Sequence, residues 1–392
     1  MTLPPVQSPD NAAAAFRAAL DRFDPARRPL ILGHFDADGL AAVAILARML
    51  DRAGRPADIR IMGKGENPWS PASRDGLSAL DPGGLIVTDL GVQAGPILPG
   101  VPTVLIDHHV PQGVPDDAAV ISGHGWLPEP TSSLLAFWCA GALGPRDDLL
   151  WLAALGLIGD MADEGFPELA EAQARYGKTA LRDAVSLVNA PRRTASADAT
   201  PALALLLKCD GAKDLLKGGH PETDLLHAAK AEVAAALEGA RRVAPRIRGD
   251  VALIRFASAC QIHPLIAQSW RGRLRDKIVL AANTGYRPGW VHFAARSATG
   301  ADLIRFLADH RPPQGESFRD LCARTTPALL DLARAGGTQI VIAHAGTVRA
   351  ALAHATGSIP GALSFHVSPL SLTRFHVGPQ GQWSVAKVNW QP

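Results

Sequence analysis

Four carboxylates and an imidazole stand out in the first 160 residues, because Asp36 and Asp38, Asp89, His108 and Asp160 each follow an apolar run. Oxygen donors with one imidazole nitrogen suit Mn²⁺ or Mg²⁺, and four anionic side chains exceed what a single ion needs. Two ions about 3.5–4 Å apart, bridged by one carboxylate, would activate a water and stabilise the oxygens around a phosphorus centre. Any one of these aspartates alone reads as well as a turn or cap residue, but five positions in one pattern do not.

The elements that must position them are legible. Residues 33–40 carry His34, Asp36 and Asp38 between the apolar runs 29–32 and 41–50. A short strand, a tight turn and a helix would bring the three to the strand's carboxyl end, where open α/β sheets place their ligands. Spacing predicts helices at 11–23, 40–53, 132–142 and 149–157 and strands at 29–32, 58–62, 84–90 and 101–106. Alanine- and leucine-rich residues 167–239 read as a helical connector. Strands are expected at 250–256, 277–283 and 290–294, with helices at 264–274 and 301–310. The last residues predict a helix at 318–335, a strand at 339–344, a helix at 347–355 and two terminal strands at 371–377 and 383–388. The fold class is therefore α/β: a parallel-sheet domain, a helical connector, a smaller partial α/β second domain and a C-terminal α/β half-domain.

Composition narrows the function classes. With 392 residues, 47% of them hydrophobic and 19% charged, the chain can bury sizeable cores. A formal charge of +2 gives no global basic field, so a nucleic-acid role must rest on a local patch. The cysteines Cys139, Cys209, Cys260 and Cys322 form no CxxC pair, which favours reduced thiols in a cytoplasm. No run has the length and apolarity of a membrane span, and the N-terminus lacks the pattern of a signal peptide.

Four stretches occur in order: His34-Phe35-Asp36-Ala37-Asp38-Gly39, Thr88-Asp89-Leu90-Gly91, Ile106-Asp107-His108-His109 and Gly156-Leu157-Ile158-Gly159-Asp160. Together they resemble the motifs of the DHH phosphoesterase superfamily, and the aspartate-alanine-aspartate-glycine form is closest to its RecJ-like branch. The resemblance implies that Asp36, Asp38, Asp89, His108 and Asp160 bind two ions, Mn²⁺ or Mg²⁺, with Asp89 as the bridge. It also implies that His109 faces the phosphate, that Asp107 orients an imidazole, and that His34 is a sixth ligand. Thr131-Ser132-Ser133 falls where members place hydroxyls near the site, although an N-cap for the following helix is the favoured reading. His124, between two glycines, reads as an exposed turn histidine.

Further along, Ala295-Arg296-Ser297 resembles a substrate-gripping turn of the family's second domain, which makes Arg296 and Ser297 candidates for substrate phosphate. Arg241, Arg242, Arg246 and Arg248 form the densest basic run, and Trp270, Tyr286 and Trp290 are either base-stacking or core residues. After His310 the resemblance changes. Residues from Pro312 onward, with Ile342-Ala343-His344-Ala345-Gly346, are similar to the C-terminal half of histidine phosphatases of the alpha-ribazole phosphatase type. That family's nucleophile lies in an Arg-His-Gly turn, which occurs nowhere in this chain, so the phosphohistidine route lacks its first residue. The expected division is 1–190, catalytic; 191–245, connector; 246–311, partial substrate-binding domain; 312–392, phosphatase-like fragment. A divergent second domain, with Gly336, Gly337 and His344 as a degenerate turn, is the other reading.

These observations lead to an expected metal-dependent phosphodiesterase that hydrolyses single-stranded nucleic acid or short oligonucleotides, cytoplasmic and with no membrane partner. The alternatives are a small-molecule phosphatase or pyrophosphatase of the same superfamily, and an inactive metal-binding scaffold. An incomplete C-terminal sheet would expose an apolar face, so homo-oligomerisation through that segment is expected.

Overall fold

A computed structural model describes residues 8–162, 164–309, 316–368 and 371–390. Its contacts divide the chain into two compact units. The first runs up to Val243 and takes in Phe256–His263 and Asn283–His292; the second comprises Ala244–Arg255, Pro264–Ala282 and the residues from Phe293 onward.

The first unit opens with α1 (Pro9–Leu20), capped by the Ser8 hydroxyl, which accepts from the Asn11 N–H. β1 (Pro29–His34), α2 (Ala37–Arg52), β2 (Asp58–Met62), α3 (Pro71–Ser78), β3 (Gly84–Thr88), β4 (Thr103–Asp107) and β5 (Ala118–Ser122) follow. The five strands form one parallel sheet in the order β2-β1-β3-β4-β5. β3 and β4 are buried throughout, as strands covered on both faces must be. Successive side chains alternate between two cores: Ile31, Ile86, Val104 and Ile106 join Phe16, Leu46 and Trp151, whereas Leu30, Leu32, Leu85 and Val87 join Trp69, Leu77 and Ile97. α4 (Ser132–Ala140) and α5 (Leu150–Gly159) complete the first of these layers and are buried almost all round, which is why they read as apolar runs.

The expected connector is a series of helices, α6 (Pro167–Tyr176), α7 (Lys178–Val188), α8 (Thr200–Lys208), α9 (Ala212–Lys217) and α10 (Pro221–Arg241). Two elements of the first unit have no counterpart in the sequence expectation. β5 is short and edge-placed, and α3 is a polar helix started by the Ser70 cap and Pro71 rather than by apolar spacing.

A four-stranded sheet, in the order β6 (Arg246–Arg248), β7 (Val251–Phe256), β8 (Ile278–Asn283) and β9 (His292–Ser297), with α11 (His263–Arg273) and α12 (Leu303–Asp309), belongs to the second unit except for the end residues Phe256, His263, Asn283 and His292, which fall in the first. Beyond it, α13 (Phe318–Ala335), α14 (Ala345–Thr356) and α15 (Ile359–Ala362) pack with the antiparallel hairpin β10 (Leu372–Val377) and β11 (Trp383–Trp390). Their own small core gathers Cys322, Ala350, Leu352, Ala353 and Ala362 with Phe318, Phe375 and Val385.

One expected strand is absent. Residues 339–344 are irregular, with Ile340 90% and Ile342 98% exposed. An apolar β-prone run needs neighbouring strands to satisfy its backbone, and among the described residues none pairs with it. The junction expected at His310 and Pro312 lies outside the described residues. Among the described residues no helix is long and apolar enough to cross a membrane.

Candidate metal centre

The strand order 2-1-3-4-5 reverses direction between β1 and β3, and the carboxyl ends of these strands are where open α/β sheets place their ligands. His34 ends β1. Asp36 is the N-cap of α2, its Oδ1 accepting from the Gly39 N–H at 3.1 Å, and Asp38 lies in the first turn. The turn between strand and helix is tight enough that a Cβ at Gly39 would lie 2.6 Å from the His34 carbonyl oxygen, so only glycine fits. Asp89 follows β3 with φ of 62°, the left-handed region that aspartate tolerates better than most residues. Asp107 closes β4 with His108 and His109 directly after it, and Asp160 is the C-cap of α5.

These side chains converge. His34 Nδ1 lies 3.1 Å from Asp36 Oδ2 and 3.5 Å from Asp89 Oδ2. His108 Nε2 lies 3.3 Å from Asp160 Oδ2, 3.6 Å from Asp89 Oδ1 and 4.0 Å from Asp38 Oδ2. Three overlapping groups result, each with its ligand atoms within 4.8 Å of one another: His34, Asp36 and Asp89; Asp38, His108 and Asp160; Asp89, His108 and His109. Asp89 therefore turns one oxygen to the first group and the other to the second. His108 Nε2 is buried without a hydrogen-bond partner, and no cysteine belongs to these groups, so the donor set fits hard divalent cations.

The electrostatics are those of a site short of positive charge. Burial pushes Asp38 up to about 6, helped by Asp160 and opposed by His108. Asp89 is driven well above the carboxylate range by burial and then by Asp38, Asp36, Asp107 and Asp160. Burial also works against ionised Asp36, but the His34 hydrogen bond and charge, Arg192 and the Gly39 N–H outweigh it and hold this carboxyl below its usual range. For His108, burial disfavours the imidazolium, and the carboxylates of Asp160 and Asp38 outweigh it, raising it to about 9. Asp107 Oδ1 is 3.0 Å from His109 Nδ1 and also accepts the His109 N–H at 2.7 Å, while Oδ2 accepts the Gly91 N–H. That pairing raises His109 and lowers Asp107, the latter against the opposing effect of burial.

Supporting groups surround these side chains, and two of them, Arg192 and Asn189, escape a sequence reading. The Ser132 and Ser133 N–H groups donate to the two oxygens of Asp38 at 2.8 and 2.9 Å, and the Ser132 hydroxyl donates to Asp89 Oδ1 at 2.9 Å. Thr131 occupies the N-cap position of α4 but makes no side-chain cap bond, because the Asp38 carboxylate from α2 takes that role. The capping function expected of the Thr131-Ser132-Ser133 side chains is thus replaced by direct contact with the site. Arg192 Nη1 donates to Asp36 Oδ2 at 3.0 Å, and Asn189 Oδ1 accepts the Ala37 N–H at 3.0 Å. Only the Pro191-Arg192-Arg193 basic pair at the end of a helical segment could have drawn attention to them. His124 stays outside the groups, 3.9 Å from Glu129 Oε1. Arg296 and Ser297 belong to the second unit: the exposed Arg296 donates to the Ala295 carbonyl, and the Ser297 hydroxyl is 2.8 Å from Thr299 Oγ1.

The fold is that of RecJ and other DHH-domain structures. Exonuclease RecJ bound to manganese aligns at a TM-score of 0.57 and 20% identity, over 78% of this chain and 86% of that one. RecJ of Thermus thermophilus in complex with Mn²⁺ aligns at 0.59 and 21% identity, over 79% of this chain and 50% of that one. The DHH domain of a member of the s1p family of ribosomal proteins aligns at 0.51 and 14% identity, over 81% of each chain. Residues 293–391 match the model of the histidine phosphatase superfamily, branch 1. No curated protein sequence matches the chain.

Proposed function

We propose that the chain is a metal-dependent phosphodiesterase that hydrolyses single-stranded nucleic acid or short oligonucleotides in the manner of a RecJ-like exonuclease. The observation that carries this reading is the convergence of Asp36, Asp38, Asp89, His108 and Asp160 at the switch point of a RecJ-like fold. Asp36, His34 and Asp89 would hold one ion and Asp38, His108 and Asp160 a second, with Asp89 shared. Bound Mn²⁺ or Mg²⁺ would supply an activated water and charge stabilisation at phosphorus. The chain's own residues do the rest. Asp36 stays ionised through His34 and Arg192. Ser132 and the α4 N-terminus fix the rotamers of Asp89 and Asp38. Asp107 anchors His109 through Nδ1 and favours its charged form, which leaves Nε2 of this half-exposed ring to hydrogen-bond a phosphoryl oxygen as charge builds there.

Arg296 and Ser297 are the candidates for gripping substrate from the partial domain 246–311. The match to a histidine phosphatase model supports reading 312–392 as a phosphatase-like fragment, fused through the connector 191–245 to the catalytic domain over residues 1–190. The exposed Ile340 and Ile342 support homo-oligomerisation through that fragment, and four buried free cysteines support a cytoplasmic location.

Incubation with Mn²⁺ and labelled single-stranded DNA, oligoribonucleotides and cyclic dinucleotides tests the function. Hydrolysis of at least one is expected, and its length dependence separates a polymer from a small substrate. Absence of turnover with ions shown to be bound removes the proposal. Asp89→Ala is expected to lower the rate at least about 100-fold, as loss of a bridging ligand should; full activity in that variant would sink the site assignment.

A further inference from the structure

Beside the metal centre the first unit holds a second cluster of side chains with unmet hydrogen-bonding capacity. Lys64 stands two residues beyond Met62, which pairs with His34, so it rises from the carboxyl end of the strand adjoining β1. Its ammonium lies 3.7 Å from the centroid of the Tyr286 ring and donates to the Tyr286 carbonyl at 3.0 Å. That leaves two of its three N–H groups unassigned. The Tyr286 ring lies 4.9 Å from that of His292 and 5.7 Å from that of His263, and the two imidazoles are 5.9 Å apart.

His263 is 7% exposed, yet its Nδ1 is buried with no hydrogen-bond partner, and the same is true of His292 Nε2. Buried polar atoms in native proteins are almost always paired, because an orphan forfeits the hydrogen bonds it would make to water. Two orphans on facing rings mark a place that a ligand completes. The Arg287 guanidinium lies against Gly65, where a Cβ would come 3.0 Å from Nη1, and it makes no hydrogen bond or ion pair among the described residues. A strap ties the cluster to the metal centre: Arg192 holds Asp36, and the Arg193 carbonyl accepts the N–H of Gln261, two residues before His263.

The chemistry selects the ligand. A cation is excluded by Lys64 and Arg287, with no carboxylate in the cluster to offset them. A stacked base is excluded because Tyr286 is only 7% exposed and Lys64 covers its face. An ammonium, a guanidinium and two imidazole nitrogens together match the oxygens of a phosphate.

We propose that Lys64, His263, Arg287 and His292 form a shelf that holds a phosphate group of the substrate next to the one undergoing cleavage. That placement rests on the phosphodiesterase reading; the anion site itself does not.

The test uses the full chain in EDTA at low salt, where no turnover occurs. Binding of a fluorescein-labelled 5′-phosphorylated pentathymidylate is followed by anisotropy, and binding of inorganic phosphate by calorimetry. Lys64→Ala and Arg287→Ala are each expected to weaken oligonucleotide binding at least tenfold. Arg182→Ala, an exposed arginine on α7, should stay within twofold of the parent. If the two shelf variants weaken inorganic phosphate alone, the shelf takes free phosphate rather than a chain phosphate, and the placement beside the scissile group is overturned. If neither probe distinguishes them from the parent, or the parent binds neither probe, the shelf is overturned. Binding losses in a protein that never hydrolyses a diester with Mn²⁺ would remove the phosphodiesterase reading and leave the anion site standing.

Discussion

Asp38 is a buried carboxylate under electrostatic tension. It is enclosed, its two oxygens are already bonded to the α4 N-terminus, and Asp160 is close by, so without metal its proton is held to about 6 against an ordinary 3.8. Between those values the folded chain binds a proton that the unfolded chain has released, so stability falls as pH rises through that window. Asp89 acts in the same direction, and His108, raised from 6.5 to about 9, contributes stability that is present below 6.5 and lost as pH rises through 9. Asp36 and Asp107 are lowered, so their contribution is lost only as pH falls below about 3.8. In EDTA the melting temperature is therefore expected to decline from about pH 4 to pH 9, and Mn²⁺ should flatten that decline, because cations replace the missing protons. Parallel melts with EDTA and Mn²⁺ check this; identical pH profiles would mean that the carboxylates do not form a metal centre. The acidic and histidine residues at this scale were legible because four local motifs carry them. Arg192 was not, since a lone arginine says nothing until folding brings it to Asp36, and for Thr131-Ser132-Ser133 the resemblance offered hydroxyls near the site but not the bonds to Asp38 and Asp89.

Elements meet closely at Gly156 in α5. A Cβ there would overlap Asp38 Oδ1 and Ser133 Oγ, so the glycine lets α5 approach α2 and α4 while Asp160 is delivered at its own C-cap. Gly156→Ala is expected to destabilise the fold by about 1–3 kcal/mol and to displace Asp38. Denaturant unfolding together with Mn²⁺ titration reads both effects. Unchanged stability and affinity would show that the helices have slack that their close approach does not suggest. Long apolar runs made β1, β3, β4, α2, α4 and α5 readable, since burial on every side leaves a continuous hydrophobic signal. β5 and α3 were unreadable for the opposite reason: an edge strand and a polar helix are held by neighbours and caps, not by their own periodicity.

At the scale of the molecule, residues 339–344 show where local pattern and global fold disagree. Gln339-Ile340-Val341-Ile342 has the composition of an interior strand, yet among the described residues the C-terminal region offers α13, α14, α15 and a two-stranded hairpin, and no strand pairs with it. Its exposed isoleucines are a template for pairing with another chain. Self-association through this run is expected to raise the apparent mass of the protein with concentration in analytical ultracentrifugation. Ile342→Lys should shift the distribution toward monomer, because a charge placed on an edge opposes strand pairing. The change should leave Mn²⁺ binding intact, since the metal centre is built from residues of the first unit alone. A concentration-independent monomer in the parent chain would instead mean that the exposed run is tolerated without a partner.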